Sequence, residues 1–220
     1  MSREPSIEFF DRQFERQVQA QEFALNPFER AALLHLRGRV LDFGCGMGNL
    51  ALAAARAGCS VLALDASAVA IDHLRDAAAR EGLALEARQA DLRHWPIDED
   101  FDAIVSIGLL MFFDCATAAR SLADLQAHVR PGGVGVVNVL VEGTTYLEMF
   151  DPDGHCLLAR GELARRFAGW DSVVSASSDY PAPGGLVKSF ETVTARRPRQ
   201  ATVAGAEQAG LGIKLARARS

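Results

Sequence analysis

Lysine is almost missing from this sequence. Among 220 residues only Lys188 and Lys214 carry an ammonium, and arginine supplies the rest of the positive charge. The net charge is −5, which leaves no basic excess for a phosphate backbone and argues against a nucleic-acid partner. No apolar run approaches the ~18 residues that a membrane span requires, so no membrane partner is expected. The opening stretch "MSREPSIEFFDRQFERQ" is charged and lacks the apolar segment of a secretory leader. Cys45, Cys59, Cys115 and Cys156 show no CxxC spacing. That excludes a zinc ribbon or dithiol motif and predicts a cytoplasmic protein with reduced thiols. There is no GxxxxGK[ST] phosphate loop, no HExxH and no other metal constellation, so no metal is expected.

What remains is ordinary globular composition, 49% apolar and 23% charged, at the length of one elaborated domain. Residues 6–36 read as helix, with Asn26 as a cap and Pro27 at a first helical position. From Arg39 onward, short apolar strands ("RVLDF", "SVLALD", "ALEARQAD", "FDAIVSIG", "VGVVNVLV") alternate with helices of ten or more residues. Ser67 and Gly82 bracket one helix, and Pro131-Gly132-Gly133 is expected to stop another. This rhythm predicts a parallel sheet covered on both faces. An irregular loop over 142–159, a short helix in "RGELARRFAGW" and a strand pair around "YPAPGG" follow. The chain divides into an N-terminal helical lid (1–37), an α/β domain (38–196) and a flexible tail (197–220).

The stretch "LDFGCGMGNL" places Gly44, Gly46 and Gly48 on alternate positions between a strand and a helix. In open α/β sheets the ligand binds at the carboxyl ends of the strands, where glycine lets the backbone approach it. Asp65 ends the second strand, suited to the hydroxyls of a ribose. The spacing is GxGxG rather than the dinucleotide GxGxxG. Asp42, just ahead of it, would repel a pyrophosphate but suits a cation. An adenosine-containing, positively charged cofactor fits both features.

On "VLDFGCGMG", "VLALD", "ADLRHWPIDEDFDAIVSI" and "RPGGVGVVNVL", the chain over residues 25–196 resembles the class I S-adenosylmethionine-dependent methyltransferases. "LLMFF", "RPGG" and "GELARRFAGWDSV" make it most similar to the tellurite-resistance and thiopurine-methyltransferase-like enzymes. The resemblance implies a Rossmann-like three-layer α/β sandwich. Its seven-stranded, mostly parallel sheet would run 3-2-1-4-5-7-6 and end in an antiparallel pair. It implies S-adenosylmethionine as cofactor and methyl transfer to a small-molecule acceptor: a thiol, a metalloid or another small nucleophile. By the family's pattern, Asp42, Gly44, Cys45 and Gly46 would hold the methionyl moiety, with the Ile107 carbonyl on its amino group. Asp65 and Ala66 would hold the ribose, and Asp91 and Leu92 the adenine. For Asp91, capping a turn before Pro96 is the competing role.

The acceptor should lie where strands four and five end. Met111, Phe112, Phe113, Tyr146 and Phe150 are its candidate walls, with Phe9 and Phe10 as lid residues; core packing is the alternative for each aromatic. Tyr146 and His155 are the candidate acid–base groups, although an in-line displacement at a sulfonium needs a base only for a protic nucleophile of high pKa. No NPPY-type or Pro-Cys motif follows strand four, which sets aside base, amide and cytosine-C5 methylation. The chain departs from the tellurite pattern in having no histidine in "SSDYPAPGG". Two rival readings stand beside the first: an NAD(P)-dependent oxidoreductase, and a non-catalytic S-adenosylmethionine-binding protein. Monomer and homodimer are both left open.

Overall fold

The structure is a computed structural model that describes residues 5–20, 23–151 and 154–199. The expected tail lies outside the described residues from position 200 onward. Seven strands form one sheet: β1 (Arg39–Phe43), β2 (Ser60–Asp65), β3 (Leu85–Gln89), β4 (Phe101–Ile107), β5 (Val129–Leu140), β6 (Asp171–Ala182) and β7 (Leu186–Arg196). Their order is β3-β2-β1-β4-β5-β7-β6. The first five run parallel, while β7 pairs antiparallel with both β5 and β6. This is the Rossmann-like arrangement expected from the sequence.

Alternation within each strand explains why the strands read as continuous apolar runs. Leu41, Leu62, Ile104 and Val137 enter one core, shared with Leu122 and Leu125 of α5 (Cys115–Ala127). Their neighbours Val40, Val61, Ala103 and Val136 enter the other core, shared with Leu50 of α3 (Asn49–Arg56) and Ile71 of α4 (Ala68–Glu81). Successive side chains point to opposite faces of a sheet, so a strand covered by helices on both faces must be apolar at every position.

Three expectations are corrected. The helix anticipated over 6–36 is two helices, α1 (Pro5–Ala20) and α2 (Pro27–Leu33). Asn26 is extended (φ −71°, ψ 170°) and closes a capping box: its side chain accepts from Glu29 N, and Glu29 accepts from Asn26 N. A residue that satisfies the first amides of one helix cannot also continue another. Second, Pro131-Gly132-Gly133 does not stop α5, which ends at Ala127. These residues sit inside β5, in the register shift between the Phe101–Val129 and Ala103–Val134 pairings, where an inserted segment tolerates a missing donor. Third, Cys115 and Cys156 are not reduced thiols; they form a disulfide with Cα atoms 4.8 Å apart. Cys115 opens α5 just past the 3-10 turn Leu110–Phe112, and the returning loop donates from Cys156 N to Met111 O at 3.0 Å. The meeting is tertiary, so no local spacing announced it. Cys45 and Cys59 are free and buried.

Among the described residues no helix is long and apolar enough to cross a membrane. A short helix between β5 and β6, α6 (Glu162–Arg166), buries Leu163 beside β7. Its Gly161 and Ala164 amides donate to the buried Glu191 carboxylate.

Candidate active site

A cavity of about 510 Å³ opens at the carboxyl edge of the sheet, bounded by the loop after β1 and roofed by α1 and α2. The glycine spacing shapes its floor. Gly44 takes φ +85°, and a Cβ there would lie 2.8 Å from the Leu109 side chain. Gly48 takes φ +73°, and a Cβ there would lie 2.5 Å from Leu74. Neither position tolerates a side chain without displacing a packed leucine. Between them, Gly46 N donates to Asp65 Oδ2 at 2.8 Å, and Ser67 N donates to Asp65 Oδ1 at 2.9 Å. Asp65 therefore holds the loop in shape while its remaining lone pairs border the cavity.

The floor is acidic. Asp42 is 4% exposed, and its Oδ2 has no hydrogen-bond partner. Burial, then the charges of Glu29 and Asp65, push its carboxyl up to about 8. Burial also raises Asp65, opposed by amide hydrogen bonds from Ser67, Gly46 and Ala66. Glu29 on α2 borders the same cavity, its carboxyl raised by burial against the lowering pull of Asn26 N and Arg30. Burial pushes the Cys45 thiol up as well.

The roof is aromatic. Phe14 of α1 lies 3.4 Å from where a Gly46 Cβ would be. Ser67 Oγ donates to Asp11 of α1, tying that helix over the loop. Phe10 meets Phe112 edge-on at 5.1 Å, and Phe28 packs against Phe190 of β7 at 4.9 Å.

Every residue expected at a cofactor borders this one cavity: Asp42, Gly44, Cys45 and Gly46, then Asp65 and Ala66, then Asp91, Leu92 and Ile107. Asp91 is also engaged by Arg93, whose Nη2 donates to Oδ2 at 2.7 Å. Of the expected acceptor walls, Met111, Phe112 and Phe113 line the cavity, and Phe150 backs Phe112 at 5.0 Å. Phe9 packs on Phe10 at 5.4 Å. Tyr146 and His155 are not among the lining residues. The Tyr146 ring lies 4.5 Å beneath Lys188 Nζ. His155 stacks on Phe150 at 4.8 Å, with Nδ1 2.9 Å from Asp151 O. Glu29, Asn138 and Lys188 are among the polar lining residues that sequence reasoning missed. Each left a trace: a capping-box glutamate in "NPFE", the one polar residue in "VGVVNVLV", and one of only two lysines.

Residues 40–133 match the family described as "Methyltransferase domain", and the match spans the glycine loop, Asp65, Asp91 and β4. Over these residues the chain is similar to S-adenosylmethionine-dependent methyltransferase domains. It is similar to Hemagglutinin 1 of Eikenella corrodens (36% identical over 108 residues, 49% of this chain and 36% of that protein). It is also similar to the cypemycin N-terminal methyltransferase of a Streptomyces species (36% over 107 residues, 47% and 42%). The third relative is TehB of Haemophilus influenzae, a probable S-adenosyl-L-methionine-dependent methyltransferase (28% over 99 residues, 45% and 35%). The solved TehB structure superposes with a TM-score of 0.70 at 20% identity, covering 82% of this chain and 65% of that one. The chain thus spans less than half the length of the curated relatives it matches. In this chain the cavity lies where strand order reverses beside β1.

Proposed function

We propose that this methyltransferase domain binds S-adenosylmethionine and transfers its methyl group to a small-molecule acceptor. The observation that carries the reading is Asp42: a buried carboxylate with an orphan oxygen, on an acidic floor under a glycine cradle. A cofactor bearing an ammonium and a sulfonium supplies the missing positive charge. A pyrophosphate would meet two carboxylates, with no cation at the loop to offset them.

Asp42 and the backbone around Gly44, Cys45 and Gly46 would hold the methionyl end, Asp65 and Ala66 the ribose, and Asp91 and Leu92 the adenine. When bound, the cofactor supplies an activated methyl on a positively charged sulfur, open to in-line attack. The remaining work falls to positioning and exclusion of water. Phe10 and Phe14 close the roof over the cradle, and Phe112 and Phe28 present apolar surface to an acceptor. Ile107 sits between the two halves of the cavity.

Isothermal titration with S-adenosylmethionine and with NADH tests the cofactor half of this reading. Micromolar or tighter binding of the first, with none of the second, is expected. Release of S-adenosylhomocysteine over a panel of thiols, metalloid oxyanions and amines tests the transfer half. Cofactor binding without turnover of any acceptor would favour a non-catalytic binding protein instead.

A further inference from the structure

Four strands bring one polar group each to the cavity edge, and their order maps the cavity. Asp42 is on β1, Ile107 ends the adjacent β4, Asn138 is on the next strand, β5, and Lys188 is on β7 beyond it. Asn138 is the register partner of Ile107, and its carbonyl accepts from Gly108 N at 2.9 Å. If the cofactor's amino group reaches Ile107, then Asn138 is the first polar side chain on the far side of the donor.

That side chain is incompletely satisfied. Asn138 is 1% exposed. Its Nδ2 donates to Thr192 Oγ1 at 2.8 Å, while Oδ1 is buried without a partner. A buried amide oxygen left unpaired is costly, and only a donor can satisfy it. A thiolate or selenide brings no such donor, whereas an N–H does.

The second polar end is a cation. Lys188 lies two residues from Phe190 and four from Thr192 on β7, so all three share one face of the strand. Among the described residues no carboxylate is paired with its ammonium, which rests over the Tyr146 ring at 4.5 Å. Phe190 and Phe28, 4.9 Å apart, line the cavity with it and provide apolar surface between its two polar ends.

We propose that the acceptor is an amine carrying a carboxylate on an apolar body, its N–H held by Asn138 Oδ1 beside the transferred methyl and its carboxylate held by Lys188. The inference rests on the methyltransferase reading above and names its substrate class. In the step it implies, the neutral amine's lone pair forms the N–C bond as the C–S bond breaks, and that bond's electron pair stays on sulfur. The methylated ammonium then loses its proton to water. Asn138 orients the nitrogen by accepting its N–H, which leaves the lone pair free for the methyl carbon.

The test uses the protein saturated with S-adenosylhomocysteine, so that failure to bind the cofactor, which would sink the parent reading, is seen separately and first. Calorimetry then compares 4-aminobenzoate with benzoate and aniline, and L-phenylalanine with 3-phenylpropionate and phenethylamine. At least one bifunctional probe should bind tenfold or more tighter than both of its controls. Asn138→Leu should remove the gain over the carboxylate control, and Lys188→Met the gain over the amine control, each leaving the other gain and cofactor affinity in place. No bifunctional preference, or variants that weaken every probe alike, would overturn the proposal. Faster S-adenosylhomocysteine release with thiols than with amines would do so while leaving the broader reading intact.

Discussion

At the scale of the residue, Asp42 joins electrostatics to binding. Its carboxyl is raised from the ordinary 3.8 to about 8, by burial first and by Glu29 and Asp65 next. It is therefore protonated at pH 7 in the free protein. A cationic ligand favours the carboxylate, so binding releases a proton at any pH below about 8. Affinity for S-adenosylmethionine should rise about tenfold per pH unit up to about 8 and then level off. Titration in buffers of different ionisation enthalpy would read the released proton, and Asp42→Asn should show a flat profile. The same shift governs folding with the sign for a raised acid. The unfolded carboxyl ionises near 3.8 and the folded one near 8, so stability present at acid pH is lost as pH rises through that window. Asp42→Asn should accordingly raise the melting temperature of the free protein at pH 7 while weakening the cofactor complex. Asp65 works through geometry instead, because it anchors the Gly46 and Ser67 amides. Asp65→Ala should cost about 1–3 kcal/mol of cofactor affinity, and unchanged affinity by calorimetry would remove Asp65 from the site.

At the scale of the element, the loop after β1 and the loop over 142–159 are held by different means. The first is fixed by left-handed glycines against packed side chains. Gly48→Ala would impose left-handed strain of roughly 1–2 kcal/mol on an alanine and drive its Cβ toward Leu74. Urea unfolding should show a total loss of at least about 2 kcal/mol. The second loop is tied covalently, since Cys115–Cys156 closes 41 residues of chain. Loop-closure entropy puts the stabilisation at up to about 4 kcal/mol. Replacing both cysteines by serine should lower stability by a large part of that. It should also speed amide exchange over 142–159 while sparing 44–48, since only the former is joined to the start of α5 by this bond.

At the scale of the whole molecule, ligand and fold are linked by mass action. S-adenosylmethionine at 100 times its dissociation constant should add about 2.7 kcal/mol of stability and raise the melting temperature by several degrees, with NADH leaving it unchanged. Differential scanning fluorimetry suffices to see this. Local pattern made much of the architecture legible. Apolar strands of five to seven positions, glycine spacing and the Ser67 and Gly82 caps are short-range signals, and the sheet they implied is present. The helix over 6–36 was misread because apolar periodicity runs across Asn26, where the capping box turns the chain. The proline and glycines after α5 were misread because a strand insertion has the same composition as a helix stop. By itself the sequence determined the glycine cradle, its flanking carboxylates and hence the character of the donor side, since those residues lie within one strand–loop–helix unit and the strand that follows. Tertiary structure alone decided that Glu29, Asn138 and Lys188 face the same cavity as Asp42, that Tyr146 and His155 do not, and that Cys115 meets Cys156. Such meetings depend on strand order and register, which bring together residues remote in the chain through contacts that no local period encodes.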